Sequence, residues 1–173
     1  MSNGDSYAIT VVGHDRPGII ADVTGAIADL GGNLEDSSMT LLRGHFAWTL
    51  VVTGSDPVEI EHRLESLRHN DLRISVIALP EAPSHGDAGA VYVMSVHGGD
   101  RPGIVSALTK VIAEAGGNIV DLTTRLSGDL YVLVAEVVLR ADTDIAVVER
   151  NLSEAATAVG VGVTLRPEDI DLL

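Results

Sequence analysis

Short apolar runs and helical stripes of apolar residues alternate along this chain. The run at residues 7–12 has the length of a β-strand, and Gly31-Gly32 ends the helix predicted after it. A second strand is predicted from Asn33 to about Leu42 and a third from Phe46 to Thr53, and Arg43-Gly44 between them predicts a β-hairpin. The first helix has one predicted apolar stripe, made of Ile19, Ile20, Val23, Ile27 and Leu30.

A second helix and a fourth strand complete this pattern. Asp56 is a predicted N-cap, because Pro57 takes the first helical position and Glu59 follows three residues after the cap. The helix is predicted to continue to about His69, and residues 72–79 form the last apolar run. Its predicted buried residues are Ile60, Leu64 and Leu67. The predicted element order is therefore βαββαβ.

The whole pattern occurs twice. The offset of 85 positions that separates Asp15 from Asp100 aligns residues 7–38 with 92–123, and 15 of these 32 positions are identical. Both copies contain Asp-Arg-Pro-Gly-Ile before the first helix and Gly-Gly-Asn after it. Matching Gly44 to Gly128 requires a slip of one residue at the hairpin. The second helical stripe is Ile104, Val105, Leu108, Ile112 and Ala115, and later elements are predicted at 130–139, 143–158 and 161–165.

This repeat predicts two α+β domains with the ferredoxin-like βαββαβ topology, each an antiparallel sheet with both helices on one face. The predicted boundaries are residues 7–79 and 91–166 for the domains, 80–90 for a linker and 167–173 for an acidic tail. Strand one is apolar on both faces, with Ile9 and Val11 on one and Ala8 and Val12 on the other. We therefore expect the domains to pair with each other, or with a second chain, by a sheet face or edge.

Composition narrows the function classes. A net charge of −14 disfavours direct binding of DNA or RNA, since such a surface repels phosphate. The lack of cysteine excludes disulfides, thiolate zinc sites and a cysteine nucleophile, and it suits a cytoplasmic protein. Residues 1–6 lack the features of a signal peptide, and no apolar run approaches the roughly 18 residues of a membrane span.

The repeated Asp-x-Pro-Gly turn is the candidate binding site. The N–H groups of Gly18, Ile19 and Ile20 have no partner within the helix and lie at its positive end, where carboxylates and phosphates bind. Glycine lets a ligand approach the backbone closely. Asp15 can accept from an ammonium group, and the amide of Asn33 can donate and accept. These groups predict a pocket for a free α-amino acid; their counterparts in the second copy are Asp100, Gly103 and Asn118.

A purely structural explanation stays open. Asp-x-Pro-Gly also forms ordinary helix caps and turns, and Asn33 after two glycines is commonly a turn residue. The identity of the two copies does not separate these explanations, because turns are also retained after duplication for folding reasons.

Motifs of catalysis and metal binding are absent from the sequence. It contains no GxSxG, Walker lysine or GxGxxG motif, and no HxxxH or HExxH pair. His14 lies in the repeated turn and is either a ligand contact or an exposed loop residue. We therefore predict no catalytic residue, no metal ion and no cofactor.

Two βαββαβ units with Asp-Arg-Pro-Gly-Ile before helix one and Gly-Gly-Asn before strand two resemble ACT domains. With residues 32–38 continuing to Phe46 and Gly54, they resemble the glycine cleavage system transcriptional repressor family. The resemblance implies an amino acid bound at the interface between paired domains, by the helix-one turn and the start of strand two. It implicates Asp15, Arg16, Gly18, Ile19 and Asn33 in the first copy, and Asp100, Arg101, Gly103, Ile104 and Asn118 in the second.

The resemblance therefore predicts a non-catalytic allosteric regulator that senses a small amino acid, glycine or a similar one, and modulates a partner protein. A transcriptional regulator of glycine or one-carbon metabolism would act through that protein, because the chain has no helix-turn-helix pattern and no basic patch. We expect a cytoplasmic homodimer whose two pockets differ, since His14 and Glu35 are replaced by Gly99 and Val120. The alternatives are a regulatory subunit of an amino-acid biosynthetic enzyme and a pairing module without a ligand.

Overall fold

The computed structural model describes residues 6–67, 72–80 and 89–168, which form two compact units. The elements of the first unit are β1 Ser6–His14, α1 Ile19–Asp29, β2 Asn33–Leu42, β3 His45–Thr53, α2 Pro57–Glu65 and β4 Arg73–Leu79. Those of the second are β5 Ala90–Gly99, α3 Ile104–Glu114, β6 Asn118–Ser127, β7 Leu130–Leu139, α4 Ile145–Ala158 and β8 Val161–Pro167. The βαββαβ order is confirmed in both.

Each unit contains one four-stranded sheet in which all neighbours are antiparallel. The strand orders are β2-β3-β1-β4 and β6-β7-β5-β8. The buried side chains of α1 and α2 pack with one face of the first sheet, and those of α3 and α4 with one face of the second. The predicted fold class, two ferredoxin-like domains with the helices on one face, is confirmed.

The sheet of the first unit separates a buried face from an open face, the one away from the helices. Ile9 and Val11 are fully buried in the core, whereas Val12 on the open face is 42% exposed. Successive side chains of a strand point to opposite faces. The apolar residues on one side of β1 therefore pack in the core, and those on the other side lie on the open face. The open face mixes polar side chains with exposed apolar ones, such as Leu42 and Ile77, which the helices do not cover.

The predicted helical stripes are wrong at one position in each copy. Ile20 is 46% exposed and Val105 is 36% exposed, whereas the preceding Ile19 and Ile104 are each 2% exposed. One residue turns the side chain by about 100° around a helix, which carries these two residues off the face that packs on the sheet. Both copies therefore expose an apolar side chain beside the repeated turn.

The predicted slip at the hairpin is also wrong. Leu42 pairs with His45 and Ser127 pairs with Leu130, so the offset of 85 continues through the turn. In the first hairpin both central residues, Arg43 and Gly44, have positive φ (50° and 81°), as in a type I′ turn. In the second only the first central residue, Gly128, does (60°), as in type II′. Two turn types keep one register, while glycine changes position.

Helix α2 ends at Glu65, earlier than predicted. Ser66 caps it, and the Ser66 hydroxyl donates to the carbonyl of Arg63 at 2.9 Å, which closes the last turn. Ile60 and Leu64 are buried as predicted, and Leu67 packs against the core from a partly buried position. His69, linker residues 81–88 and tail residues 169–173 lie outside the described residues.

Candidate functional site

The two repeated turns share one backbone geometry. Gly18 and Gly103 are the N-caps of α1 and α3, with φ of 91° and 94° and ψ of −8° and −7°. The first helical bonds run from Asp22 N–H to the Gly18 carbonyl and from Ala107 N–H to the Gly103 carbonyl, at 2.8 and 2.9 Å. Neither helix has a side-chain cap. The aspartates of the motif therefore do not cap these helices.

The uncapped end of α1 has spare hydrogen-bond donors. The N–H groups of Ile19, Ile20 and Ala21 precede the first helical donor, Asp22, so they have no acceptor inside α1. These groups lie at the positive end of the helix dipole, where an anionic oxygen is stabilised. The turn at α3 has the same arrangement, from residues 104–106.

The arginines of the two turns are held differently. Arg16 Nη2 lies 2.9 Å from Asp22 Oδ2, and Nη1 donates to the Pro17 carbonyl at 3.2 Å. Its Nε is buried and has no hydrogen-bond partner. In the second unit Ala107 replaces the aspartate, and the guanidinium of Arg101 lies against Gly160, where an added Cβ would collide with it. The first turn thus holds an unused donor beside the helix end.

A cavity of about 550 Å³ opens at the first turn. This turn cavity is lined by Asp15, Arg16, Pro17, Gly18, Ile19, Ile20, Ala21, Met39, Leu41 and Phe46. Its volume falls in the range of about 300–1,000 Å³ that small-molecule sites occupy. It therefore combines donors at a helix end with an apolar wall.

Four of the predicted site residues of the first unit meet in this cavity, and the fifth does not. Asp15, Arg16, Gly18 and Ile19 line it. Asn33 pairs with Thr53 at the opposite end of the sheet from the hairpin, whereas the Asp15 N–H donates to the Gly44 carbonyl in the hairpin at 3.2 Å. At about 3.4 Å per residue, the length of β2 separates the two. One unit alone does not bring the asparagine to the turn.

The same separation holds in the second unit. Asn118 pairs with Val138 at the far end of β6. Asp100, Arg101, Gly103 and Ile104 lie together in the turn between β5 and α3. Both asparagines are exposed.

His14 does not line the turn cavity. Its ring lies 5.0 Å from that of His45, measured between centroids, and the two residues face each other in the register of β1 and β3. Phe46, the neighbour of His45, is buried on the helix side, so the histidine pair lies on the open face. In residues 6–67, 72–80 and 89–168, no three acidic or histidine side chains converge as a possible metal site.

The wall residues Met39, Leu41 and Phe46 could not be found by inspecting the turn motif. They lie on β2 and β3, more than twenty positions from Asp15, and the sheet register brings them to the turn. Met39 and Leu41 belong to the face of β2 that continues the core, yet they are 48% and 50% exposed, which only the folded structure shows.

A comparison with protein families now identifies the fold. The family model of the ACT domain matches residues 7–75 and 91–166. The chain belongs to the ACT-domain family. The glycine cleavage system transcriptional repressor of Escherichia coli is 26% identical over 131 residues, 72% of this chain and 67% of that protein. A UPF0237 protein of Methanocaldococcus jannaschii is 37% identical over 79 residues, 45% of this chain and 88% of that protein.

A solved structure resembles the ACT-domain protein over almost its whole length. It is the crystal structure of an unknown protein from Galdieria sulphuraria, which is 30% identical, has a TM-score of 0.80, and is matched over 95% of this chain and 99% of that one. The chain is therefore a tandem ACT-domain regulatory protein related to the glycine cleavage repressor. None of the helices described in residues 6–67, 72–80 and 89–168 has the length and apolar character to cross a bilayer.

The second ACT domain has a cavity of its own between its helices. It measures about 390 Å³ and is lined by Val111, Glu114, Ala115, Arg140, Asp142, Thr143, Asp144, Val147, Val148 and Asn151. In the first domain the corresponding groove is bridged by Arg63 and Asp29 at 2.9 Å. The segment between β7 and α4 has five residues, 140–144, two more than the segment 54–56 between β3 and α2.

An exposed ion pair lies at the rim of this second cavity. Arg140 Nε is 3.1 Å from Asp142 Oδ1. The hydrogen bond from Arg140, and then its charge, lower the pKa of the Asp142 carboxyl below the ordinary value of aspartate. Because both side chains are exposed to water, this ion pair contributes little to stability.

Proposed function

We propose that this ACT-domain protein senses a small α-amino acid at the repeated turn and transmits its binding to a partner protein. The sensing step is non-catalytic, because it requires only that the ligand bind two packing states of the protein with different affinities. We propose further that the partner protein controls transcription in glycine or one-carbon metabolism. The name of the Escherichia coli relative supports this role.

The turn cavity carries this proposal. Three backbone N–H groups that have no acceptor inside α1 lie at a concave space that is large enough for an amino acid, and Arg16 contributes to the lining of that space. A carboxylate bound there accepts several hydrogen bonds and compensates the helix dipole. The carboxylate of Asp15, on the rim of the same cavity, receives the ammonium group.

The position of Asn33 supports a site shared between paired ACT domains. Since Asn33 lies at the far end of β2 from Asp15, its amide reaches a bound amino acid only through the turn of another ACT domain. Binding then links the ligand to the pairing of domains. This link is the step by which an amino acid changes the surface offered to a partner.

The charge of the chain supports a protein as that partner. A net charge of −14 steers the molecule toward basic surfaces and away from phosphate backbones. A role in transcription therefore proceeds through a DNA-binding or other regulatory protein rather than through direct contact with nucleic acid.

Replacing Ile20 with glutamate tests the binding site. Ile20 lines the cavity and is 46% exposed, so Ile20→Glu leaves the core intact and places a carboxylate where the ligand carboxylate is proposed to bind. We expect the wild-type protein to show a thermal shift with at least one of the twenty amino acids, equivalent to about 2.7 kcal/mol at a concentration of 100 times Kd. Ile20→Glu should remove the shift due to the first domain.

Val58→Glu is the matched control. Val58 is 72% exposed on α2 and lies outside the turn cavity, so this variant makes the same change of charge and should keep the shift. Val105→Glu makes the equivalent change beside the second turn and reports binding there. A chain that ignores all twenty amino acids, or an Ile20→Glu variant that responds as the wild type does, contradicts the proposal.

A further inference from the structure

The turn cavity has an apolar wall that glycine cannot cover. Ile20, Met39, Leu41 and Phe46 line the cavity from α1, β2 and β3. The first three are 46%, 48% and 50% exposed, although Met39 and Leu41 belong to the face of β2 that packs against the helices. A glycine bound at the turn would leave these side chains in water.

The wall is anchored in the core. Met39 pairs with Trp48 and Leu41 pairs with Phe46 across β2 and β3, so each exposed residue stands beside a buried aromatic ring on the same face. The rings of Phe46 and Trp48 pack edge to face, with centroids 6.1 Å apart and planes at 78°. The base of the wall is therefore rigid, and a ligand side chain placed on it extends the existing core.

The second domain provides an internal comparison. The offset of 85 converts Ala21, Met39 and Phe46 into Ser106, Thr124 and Tyr131. The strand register is the same, because Leu126 pairs with Tyr131 as Leu41 pairs with Phe46. Two of the four wall positions, Met39 and Phe46, and the neighbouring Ala21 thus change to side chains with hydroxyl groups, while the turn itself is retained.

We propose that the turn cavity of the first domain selects an α-amino acid with an apolar side chain of about the size of leucine, in preference to glycine. This inference rests on the proposed function, since the turn holds the carboxylate and ammonium groups that every amino acid shares. The wall of Ile20, Met39, Leu41 and Phe46 then determines which side chain is preferred. The second domain does not share this preference.

The experiment compares L-leucine, glycine and L-serine by isothermal titration calorimetry on the full chain. Burying one methylene strengthens binding on the order of fourfold, so leucine should bind at least about tenfold tighter than glycine. Met39→Thr introduces the residue of the second domain at an exposed position. It should weaken leucine binding by about tenfold and change glycine binding by less than about twofold.

Met39→Leu and Val58→Thr are the controls. The first keeps an apolar wall and should retain the preference for leucine, and the second makes an apolar-to-threonine change outside the cavity and should have no effect. Equal binding of glycine and leucine, or an unchanged preference in Met39→Thr, overturns this inference while amino-acid sensing stands. Failure of all three amino acids, and of the other seventeen in the thermal-shift screen, overturns both.

Discussion

Gly18 and Gly103 are required by backbone conformation rather than by space. Their φ values of 91° and 94° lie in the left-handed region, whereas an added Cβ would approach only Arg16 Nη1, at 3.8 Å, in the first case and nothing in the second. A β-branched residue at either position therefore strains the backbone even without a ligand. For this reason the exposed side chain of Ile20 is a cleaner probe of binding than the glycine of the motif.

Gly32 has the opposite requirement. Gly31 and Gly32 donate to the carbonyls of Ala28 and Ile27 at 2.9 and 3.0 Å, the two bonds of a Schellman motif. A Cβ on Gly32 would lie 2.6 Å from Ser55 Oγ and 2.7 Å from Ile27 Cγ2. Close packing of the helix end against its surroundings therefore excludes a side chain.

We expect Gly32→Ala to destabilise the first domain and Gly25→Ala to stabilise it. The alanine at 32 overpacks the helix end, which costs about 1–3 kcal/mol. Gly25 lies exposed within α1 with no atom within 4 Å of its would-be Cβ, so alanine there adds about 0.5–1 kcal/mol. Urea unfolding of both variants and the wild type measures the difference, and changes of the same sign would show that contacts at position 32 are unimportant.

How far single residues could be predicted depended on whether their role is local. The repeated turn was found because Asp15, Arg16 and Gly18 are consecutive and duplicated. Met39 was not, because its place beside the turn depends on strand register. The different settings of Arg16 and Arg101 also depend on distant partners, Asp22 in one domain and Gly160 in the other.

Among the elements, the two β2–β3 type hairpins show one register reached by two turn chemistries. The first hairpin is strained at Arg43, which is the one non-glycine residue with positive φ in the described part of the chain. Left-handed conformation costs an ordinary residue about 1–2 kcal/mol, and Asn-Gly is the preferred pair for a type I′ turn.

We expect Arg43→Asn to stabilise the first domain by about 0.5–1 kcal/mol, because asparagine adopts the left-handed conformation more readily. Chemical denaturation measures the gain. Arg43→Gln removes the same charge without this tolerance and should give no gain. Asp129→Asn, at a position of negative φ in the second hairpin, should also be neutral. Equal stabilisation by asparagine and glutamine at position 43 would trace the effect to charge instead.

The elements themselves were largely predictable, because strand and helix periods are local properties. The strands at 33–42 and 130–139 have the predicted bounds. The errors arose where local pattern competes with three-dimensional context. Ile20 fitted an apolar stripe but is 46% exposed beside the turn, and the glycine of the hairpin suggested a slip that the pairing does not contain.

At the scale of the whole molecule, one edge strand of each sheet exposes apolar side chains and unpaired backbone groups to solvent. β2 and β6 are ten-residue edge strands, and nearly all of their residues are exposed. Leu34, Leu42, Val120, Leu122 and Leu126 are among the apolar side chains they present to solvent. A long apolar edge is a template for pairing with another strand.

We therefore predict that the full chain is a homodimer that pairs along these edges. Light scattering or sedimentation should give twice the mass of one chain. Lysines on an edge oppose pairing, so Leu34→Lys with Ser38→Lys tests β2, and Leu122→Lys with Thr123→Lys tests β6. The pair that lies in the interface should shift the protein toward monomer.

Val58→Lys, on the exposed surface of α2, adds a lysine away from both edges and should leave the dimer intact. If only the β2 variant dissociates and also loses the amino-acid response, pairing and sensing share one interface, as the distance between Asn33 and the turn requires. If it dissociates and keeps the response with unchanged affinity, the amino acid binds within a single domain and Asn33 has no part in it. A monomeric wild type would show that these edges are covered in some other way than by a second copy of the chain.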